Sequence, residues 1–279
     1  MSSVQRILTG LEFVLDPHTA HVQWPSETED VVRLSIELAR LTRSGLAFAA
    51  VAPCLNEDWD CATVDRWLAE AEQQLEGFSR ASPTDGIPIE HAAWFGSPGE
   101  EWARSARESN MDLLIVPGAT LPLSPAARIA EHGLPERAGC PVWFAGREPD
   151  SLAAAPPLIA FCDDLSADAV PHLLFAVELA LAWNARLLIV HPLAPPSVPL
   201  GADEEDRLRR EVFVRLSRTD FRALSHGSQL RLLPGGLDEI LQQVSTEQAP
   251  NLLMASAKLT AVARPSWRGH LYLWGGKAE

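Results

Sequence analysis

The chain has 279 residues, 47% of them hydrophobic and 22% charged, which suits two domains of ordinary size and excludes bulk disorder. Its net charge of -14 excludes a nucleic-acid surface, because phosphate binding needs clustered Lys and Arg. No long apolar run follows Met1, so no signal peptide is read; the apolar stretch 173–190 is broken by Glu178, Asn184 and Arg186 and reads as helix, turn and strand rather than a membrane span.

In chain order, residues 7–11 read as a short buried strand and 16–29 as a polar loop. Residues 30–42 carry helical spacing through Val31, Leu34, Ile36, Leu38 and Leu41. Residues 48–51 read as a second strand, 64–80 as an amphipathic helix with Trp67, Leu68, Ala71, Leu75 and Phe78 inward, and 87–95 as a third strand. Pro98 suits the first turn of a helix over 99–109. A strand over 113–116, a helix over 125–136 and a strand over 141–145 follow. Residues 148–157, rich in Pro and Ala, read as a linker between a first domain, 1–147, and a second, 158–279. The order then repeats: strand 158–162, helix 169–183, strand 187–190, a Pro-rich loop, a long charged helix over 203–225, strand 229–233, helix 237–248 and strand 252–255.

The repetition is visible in the residues. Ser35-Ile36-Glu37-Leu38-Ala39 recurs as Ala176-Val177-Glu178-Leu179-Ala180, 141 positions on, and Met111-Asp112-Leu113-Leu114-Ile115 recurs as Pro250-Asn251-Leu252-Leu253-Met254, 139 on. A period this long signifies two copies of a domain. Strands alternating with helices predict a parallel α/β sheet, and the lack of clean strand alternation predicts helices on both faces. Carrying the second offset to Cys140 reaches the last residue, so the fifth strand of the second copy is either missing or reached early, at residues 271–274.

Each half resembles the universal stress protein family, whose tandem members form a subgroup. The resemblance rests on an opening strand ending in an acid (7–12 and 158–163), the Glu-Leu-Ala helix, Val51-Ala52-Pro53 and Val190-His191-Pro192 after the second strand, Gly96-Ser97-Pro98, Asp112-Leu113-Leu114-Ile115-Val116, and Ala138-Gly139-Cys140-Pro141-Val142. It implies two Rossmann-like domains of the adenine nucleotide α-hydrolase type, each with five parallel strands, paired as an internal pseudo-dimer. ATP-binding members carry an acid after strand one and Gly-x2-Gly-x9-Gly-Ser/Thr after strand four, where backbone N–H groups and a hydroxyl hold the phosphates.

Against that pattern both copies are eroded. In the first, Glu12 replaces Asp, and the loop Pro117-Gly118-Ala119-Thr120-Leu121-Pro122-Leu123-Ser124-Pro125 loses N–H donors to three prolines and reaches Arg128-Ile129 where Gly-Ser is required. In the second, Asp163 holds the acid position, Ser256 replaces the first glycine, and Gly269 is followed by His270, with Lys258, Arg264 and Arg268 as basic neighbours. The candidate nucleotide residues are therefore Asp163, Ser256, Lys258, Gly269 and His270.

Asp16, His18 and His21 read as a polar loop rather than a metal site, which needs more ligands and outer support. Ser97 and Ser166 lack a nucleophile elbow. Cys54, Cys61, Cys140 and Cys162 show no C-x-x-C spacing and read as reduced, mostly buried thiols, with a Cys54–Cys61 pair as the alternative in an oxidising compartment. Among the tryptophans, Trp267 and Trp274 read as contact residues. The expectation is a cytoplasmic tandem protein without a catalytic centre or metal, acting through protein contacts, with a homodimer or another protein as partner. A nucleotide switch using the second half alone is the alternative. An adenylate-forming enzyme is set aside, because the places after the first strands read Gly10-Leu11-Glu12-Phe13-Val14 and Cys162-Asp163-Asp164-Leu165-Ser166.

Overall fold

A computed structural model describes residues 4–15, 21–53, 60–81, 84, 86–118, 133–146, 156–162, 167–193, 206–207, 210, 214, 221–235, 237–256 and 269–275. The chain divides into two compact units, Met1–Arg147 and Glu148–Glu279.

In unit 1 the apolar runs become parallel strands. Strand β1 (Arg6–Glu12) is followed by β2 (Val14–Leu15) and β3 (Val22–Gln23), helix α1 (Thr28–Thr42), β4 (Gly45–Ala52), α2 (Cys61–Arg80), β5 (Ile89–Phe95), α3 (Pro98–Glu108), β6 (Leu113–Pro117), α4 (Leu134–Ala138) and β7 (Val142–Ala145). The five main strands lie in the order β7-β6-β1-β4-β5, and all neighbours are parallel. Ile7, Leu11, Leu114, Ile115 and Trp143 are fully buried, as expected for strands covered on both faces. Chain order reverses between β1 and β6, and the carboxyl ends of such a pair are where α/β sheets bind ligands.

The predicted polar loop at 16–29 is corrected at its end: Val22–Gln23 pairs antiparallel with Val14–Leu15. Two-residue strands are too short to leave a periodic signal. The helix predicted over 125–136 is described only from Leu134, where it runs to Ala138; residues 119–132 lie outside the described residues.

Unit 2 contains β8 (Leu158–Cys162), a short 3-10 turn over Ala167–Ala169, α5 (Val170–Ala182), β9 (Arg186–Leu193), β10 (Ser228–Pro234), α6 (Leu237–Glu247), β11 (Leu252–Ser256) and β12 (His270–Trp274). Its strand order, β10-β9-β8-β11-β12, repeats that of unit 1, again with parallel neighbours. Strand β12 is the fifth strand, so the early position at 271–274 is the one adopted. Of the predicted helix over 203–225, helical backbone is described at Asp206, Arg207, Arg210 and Val214. It does not reach residue 225: Leu224 donates to the Phe221 carbonyl and Gly227 to that of Leu224, which makes turns of 221–227.

The repeat extends to backbone details. Arg43 and Asn184, 141 positions apart, both adopt φ near +50° (57° and 50°), and so do Asn110 (49°) and Ala249 (41°), 139 apart. Each follows a helix. After three of them an N–H bonds back over five residues, Ser44 to Ala39 at 2.9 Å, Met111 to Ala106 at 2.9 Å and Ala185 to Ala180 at 2.8 Å, the closing bond of a left-handed helix terminus. After Ala249 comes Pro250, which has no N–H to give. Likewise Asp112 Oδ2 accepts the N–H groups of Gln5 (2.9 Å) and Arg6 (3.0 Å), and Asn251 Oδ1 accepts that of Leu158 (2.8 Å). Each unit thus ties the start of its first strand to its fourth.

Candidate functional site

The place to look is the carboxyl end of the sheet at the reversal of strand order. In unit 1 an aromatic cluster packs at the carboxyl ends of β1, β4 and β5. Phe13, directly after β1, is fully buried and donates its N–H to the Val51 carbonyl at 3.2 Å. Its ring lies 5.5 Å from Trp24 and 6.2 Å from Phe95, the last residue of β5, and Trp24 meets Phe78 edge-on at 5.8 Å. Trp24 is held further by its Nε1–H, donated to Gln74 Oε1 at 2.8 Å, and Gln74 in turn donates to Glu70 at 3.0 Å. His21 Nδ1 lies 3.5 Å from Glu70; Asp16 and His18 fall outside the described residues.

Glu12 is half-buried, and desolvation pushes its carboxyl above the ordinary range. Gly118, the first glycine of the loop that follows β6, donates its N–H to the Ala145 carbonyl at 2.6 Å, and a Cβ on it would meet that oxygen at 2.4 Å. The glycine therefore serves close approach of β6 to β7. Its N–H is already committed, which removes a donor a phosphate would use.

In unit 2 the described residues of the predicted set, Ser256, Gly269 and His270, do not converge. Ser256 ends β11 at the carboxyl edge and pairs in register with Trp274, whereas His270 opens β12 and pairs with Leu252 at the amino edge. Four residues along a strand separate the two by roughly 13 Å. Gly269 lies with His270, whose N–H donates to the Asn251 carbonyl at 2.7 Å. His270 is buried, and burial pulls its imidazole down to about 4. Counting thirteen residues from Ser256 thus reaches the start of a strand, where the family's motif requires the start of a helix. Asp163 and Lys258 lie outside the described residues. The register also refines the acid position: Gly10 sits opposite Ala49 and Cys162 opposite Val190, so the counterpart of Glu12 is residue 164.

Sequence reasoning missed an aromatic cluster at the end of β12. Trp274 stacks on Phe161 at 5.3 Å and on His172 at 4.6 Å; His172 Nδ1 lies 2.9 Å from the Tyr272 hydroxyl, and Phe175 packs 5.6 Å from Tyr272. Trp274 is 2% exposed and is therefore a core residue of unit 2, which corrects its reading as a contact residue; Trp267 lies outside the described residues. The signal was a hundred residues apart in sequence and could not be read locally.

Other polar clusters among the described residues are satisfied within the fold. Ser79 Oγ lies 2.9 Å from His91 Nε2 but donates to the Leu75 carbonyl at 3.0 Å, so its proton is engaged and the imidazole donates to it; burial lowers the pKa of His91. Cys61, Cys140 and Cys162 are free thiols, and burial pushes Cys140 up to about 12, which excludes a reactive thiolate there. Among the described residues no group of three or more His, Cys, Asp or Glu could hold a metal, and no helix is long and apolar enough to cross a membrane. Helix α5 exposes Val170, Leu174 and Leu181; at spacings of four and seven they share one face. The residues 141 positions earlier in unit 1 are Glu29, Arg33 and Arg40, all exposed.

No family model matches the chain, and no curated protein is significantly similar to it in sequence. Solved structures do match over nearly the whole length. A universal stress protein from Archaeoglobus fulgidus DSM 4304 is 12% identical, with 98% of this chain and 99% of that chain covered and a TM-score of 0.63. A protein of unknown function from Pseudomonas aeruginosa PAO1 is 14% identical, covering 98% and 93%, at 0.62. A protein provisionally assigned as a universal stress protein from Pseudomonas aeruginosa UCBPP-PA14 is 14% identical, covering 98% and 94%, at 0.61. The fold is that of universal stress proteins.

Proposed function

We propose that this chain is a tandem protein of the universal stress type that works in the cytoplasm without a catalytic centre, through protein contacts, and has given up nucleotide binding. The observation that carries this reading is the separation of Ser256 from Gly269 and His270, which stand at opposite edges of two neighbouring strands. A triphosphate held by backbone N–H groups needs those donors converging on one helix start. The committed N–H of Gly118 supports the same reading for unit 1. The apolar outward face of α5, where unit 1 carries charges, supports action through contacts, since exposed apolar patches mark interaction surfaces.

The test is a thermal-shift or calorimetric titration with ATP and magnesium. No shift is expected at millimolar ATP. Binding with a Kd of about 10 µM would add about 2.7 kcal/mol at a hundredfold excess. A saturable shift of that size, abolished by Asp163→Ala or Lys258→Ala, would establish the rival reading of a nucleotide switch in the second half.

A further inference from the structure

We propose that His172 is an acid-operated latch that holds strand β12 to helix α5 and lets it go when the ring is protonated. The geometry is a three-sided seat. His172, in the first turn of α5, lies with its ring 4.6 Å from that of Trp274 and nearly parallel, at 22°. Its Nδ1 is 2.9 Å from the Tyr272 hydroxyl. Trp274 is backed by Phe161 of β8 at 5.3 Å, and Tyr272 by Phe175 of α5 at 5.6 Å. Tyr272 and Trp274 are each 2% exposed, so one imidazole gathers both buried aromatic side chains of β12 onto the helix.

A neutral imidazole offers one nitrogen as acceptor, so it can receive the tyrosine proton; an imidazolium has only donors and must also shed its water to stay in this seat. Burial accordingly pulls His172 down to about 4. Of the groups around it, Tyr272, Trp274 and Phe161 carry no charge, and the carboxylate of Asp168, four residues earlier, favours the proton without cancelling the effect of burial. The seated ring is therefore stabilising above 6.5, and that stabilisation drains away as pH falls from 6.5 to about 4. The gap corresponds to roughly a 300-fold change in the equilibrium holding the latch closed. At the matching positions unit 1 carries Val31 and Trp143.

Hydrogen exchange read by mass spectrometry on the intact chain tests this, with β4 as internal reference. After correction for intrinsic rates, β12 amides are expected to lose protection at least tenfold between pH 7 and pH 4 while β4 amides hold theirs. In His172→Phe, which keeps an aromatic ring and cannot take a proton, β12 should retain its protection at pH 4; an undiminished loss in that variant would assign the effect to His270 and overturn the latch. Should His172→Phe not fold, two readouts remain. The His172 ring proton in the unaltered protein should titrate near 4, and a midpoint near 6.5 sinks the proposal. Tyr272→Phe, which drops only the hydroxyl, should loosen β12 already at pH 7, and unchanged protection there counts equally against it.

Discussion

Behind the first strand of each unit the same packing problem is solved in opposite ways. In unit 1, Gly10 faces Trp102 of α3, so closely that a Cβ on the glycine would lie 2.6 Å from the indole ring. In unit 2 the matching positions hold Cys162 and Leu241, which pack in one core cluster. A small residue with a large partner has been exchanged for two of middling size. The comparison teaches that the volume between strand and helix is conserved while its division between residues is free, as expected for interiors that tolerate repacking at constant volume.

The sharpest way to break that comparison is Gly10→Cys, which imports the unit 2 residue without its partner. It should destabilise unit 1 by about 3 kcal/mol or more, at the upper end of overpacking costs, because backbone and indole both have to move. Adding Trp102→Leu should recover much of the loss, and a denaturant double-mutant cycle reads the coupling. Purely additive costs would mean the two positions do not share one volume.

The units also separate by pH. His172 and His270, both pulled down to about 4 by burial, belong to unit 2. Their lowered values mean stability fully present above 6.5 and lost as pH falls toward 4, about 3 kcal/mol for each. Acid unfolding followed by exchange or proteolysis should therefore open unit 2 before unit 1. The reverse order would show that carboxylates of unit 1 dominate.

Next come the ties between first and fourth strands. Asp112→Ala frees two backbone N–H groups and should cost about 1–2 kcal/mol, whereas Asn251→Ala frees one and should cost about 1 kcal/mol, measured by thermal or denaturant unfolding. Equal costs would argue that water replaces the second bond. The smallest effect is a gain: Ala249 holds φ at 41°, where Asn110 stands in unit 1. Ala249→Asn should therefore stabilise by up to about 1 kcal/mol, since Asn tolerates the left-handed region better. A loss would mean the side chain finds no room. Changing Leu174 and Leu181 to Glu should leave stability within about 0.5 kcal/mol and is the control for the exposed face of α5.

Much of this was legible in the residues because it is local or periodic. The apolar runs became strands nearly where they were read, and the offsets of 141 and 139 carried over into strand order, helix ends and the Asp112 and Asn251 ties. What was not legible depends on closure in space. The motif count from Ser256 to Gly269 assumed a family-length crossover, but a short one brings His270 to the start of a strand. The hairpin at Val22–Gln23 was too short to show a period. Trp274, a candidate contact residue by its place in the tail, is enclosed by Phe161, His172 and Tyr272, which no spacing rule connects.

Sequence alone thus determined the duplicated α/β pattern, the acidic balance and the proline-rich loop after the fourth strand of the first copy, because these follow from hydrophobic period, charge count and residue type. Tertiary structure decided which edge of the sheet each candidate residue occupies, that Gly118 is spent on β7, and that β12 is gripped through His172, because register and side-chain enclosure exist only once strands distant in the chain have paired.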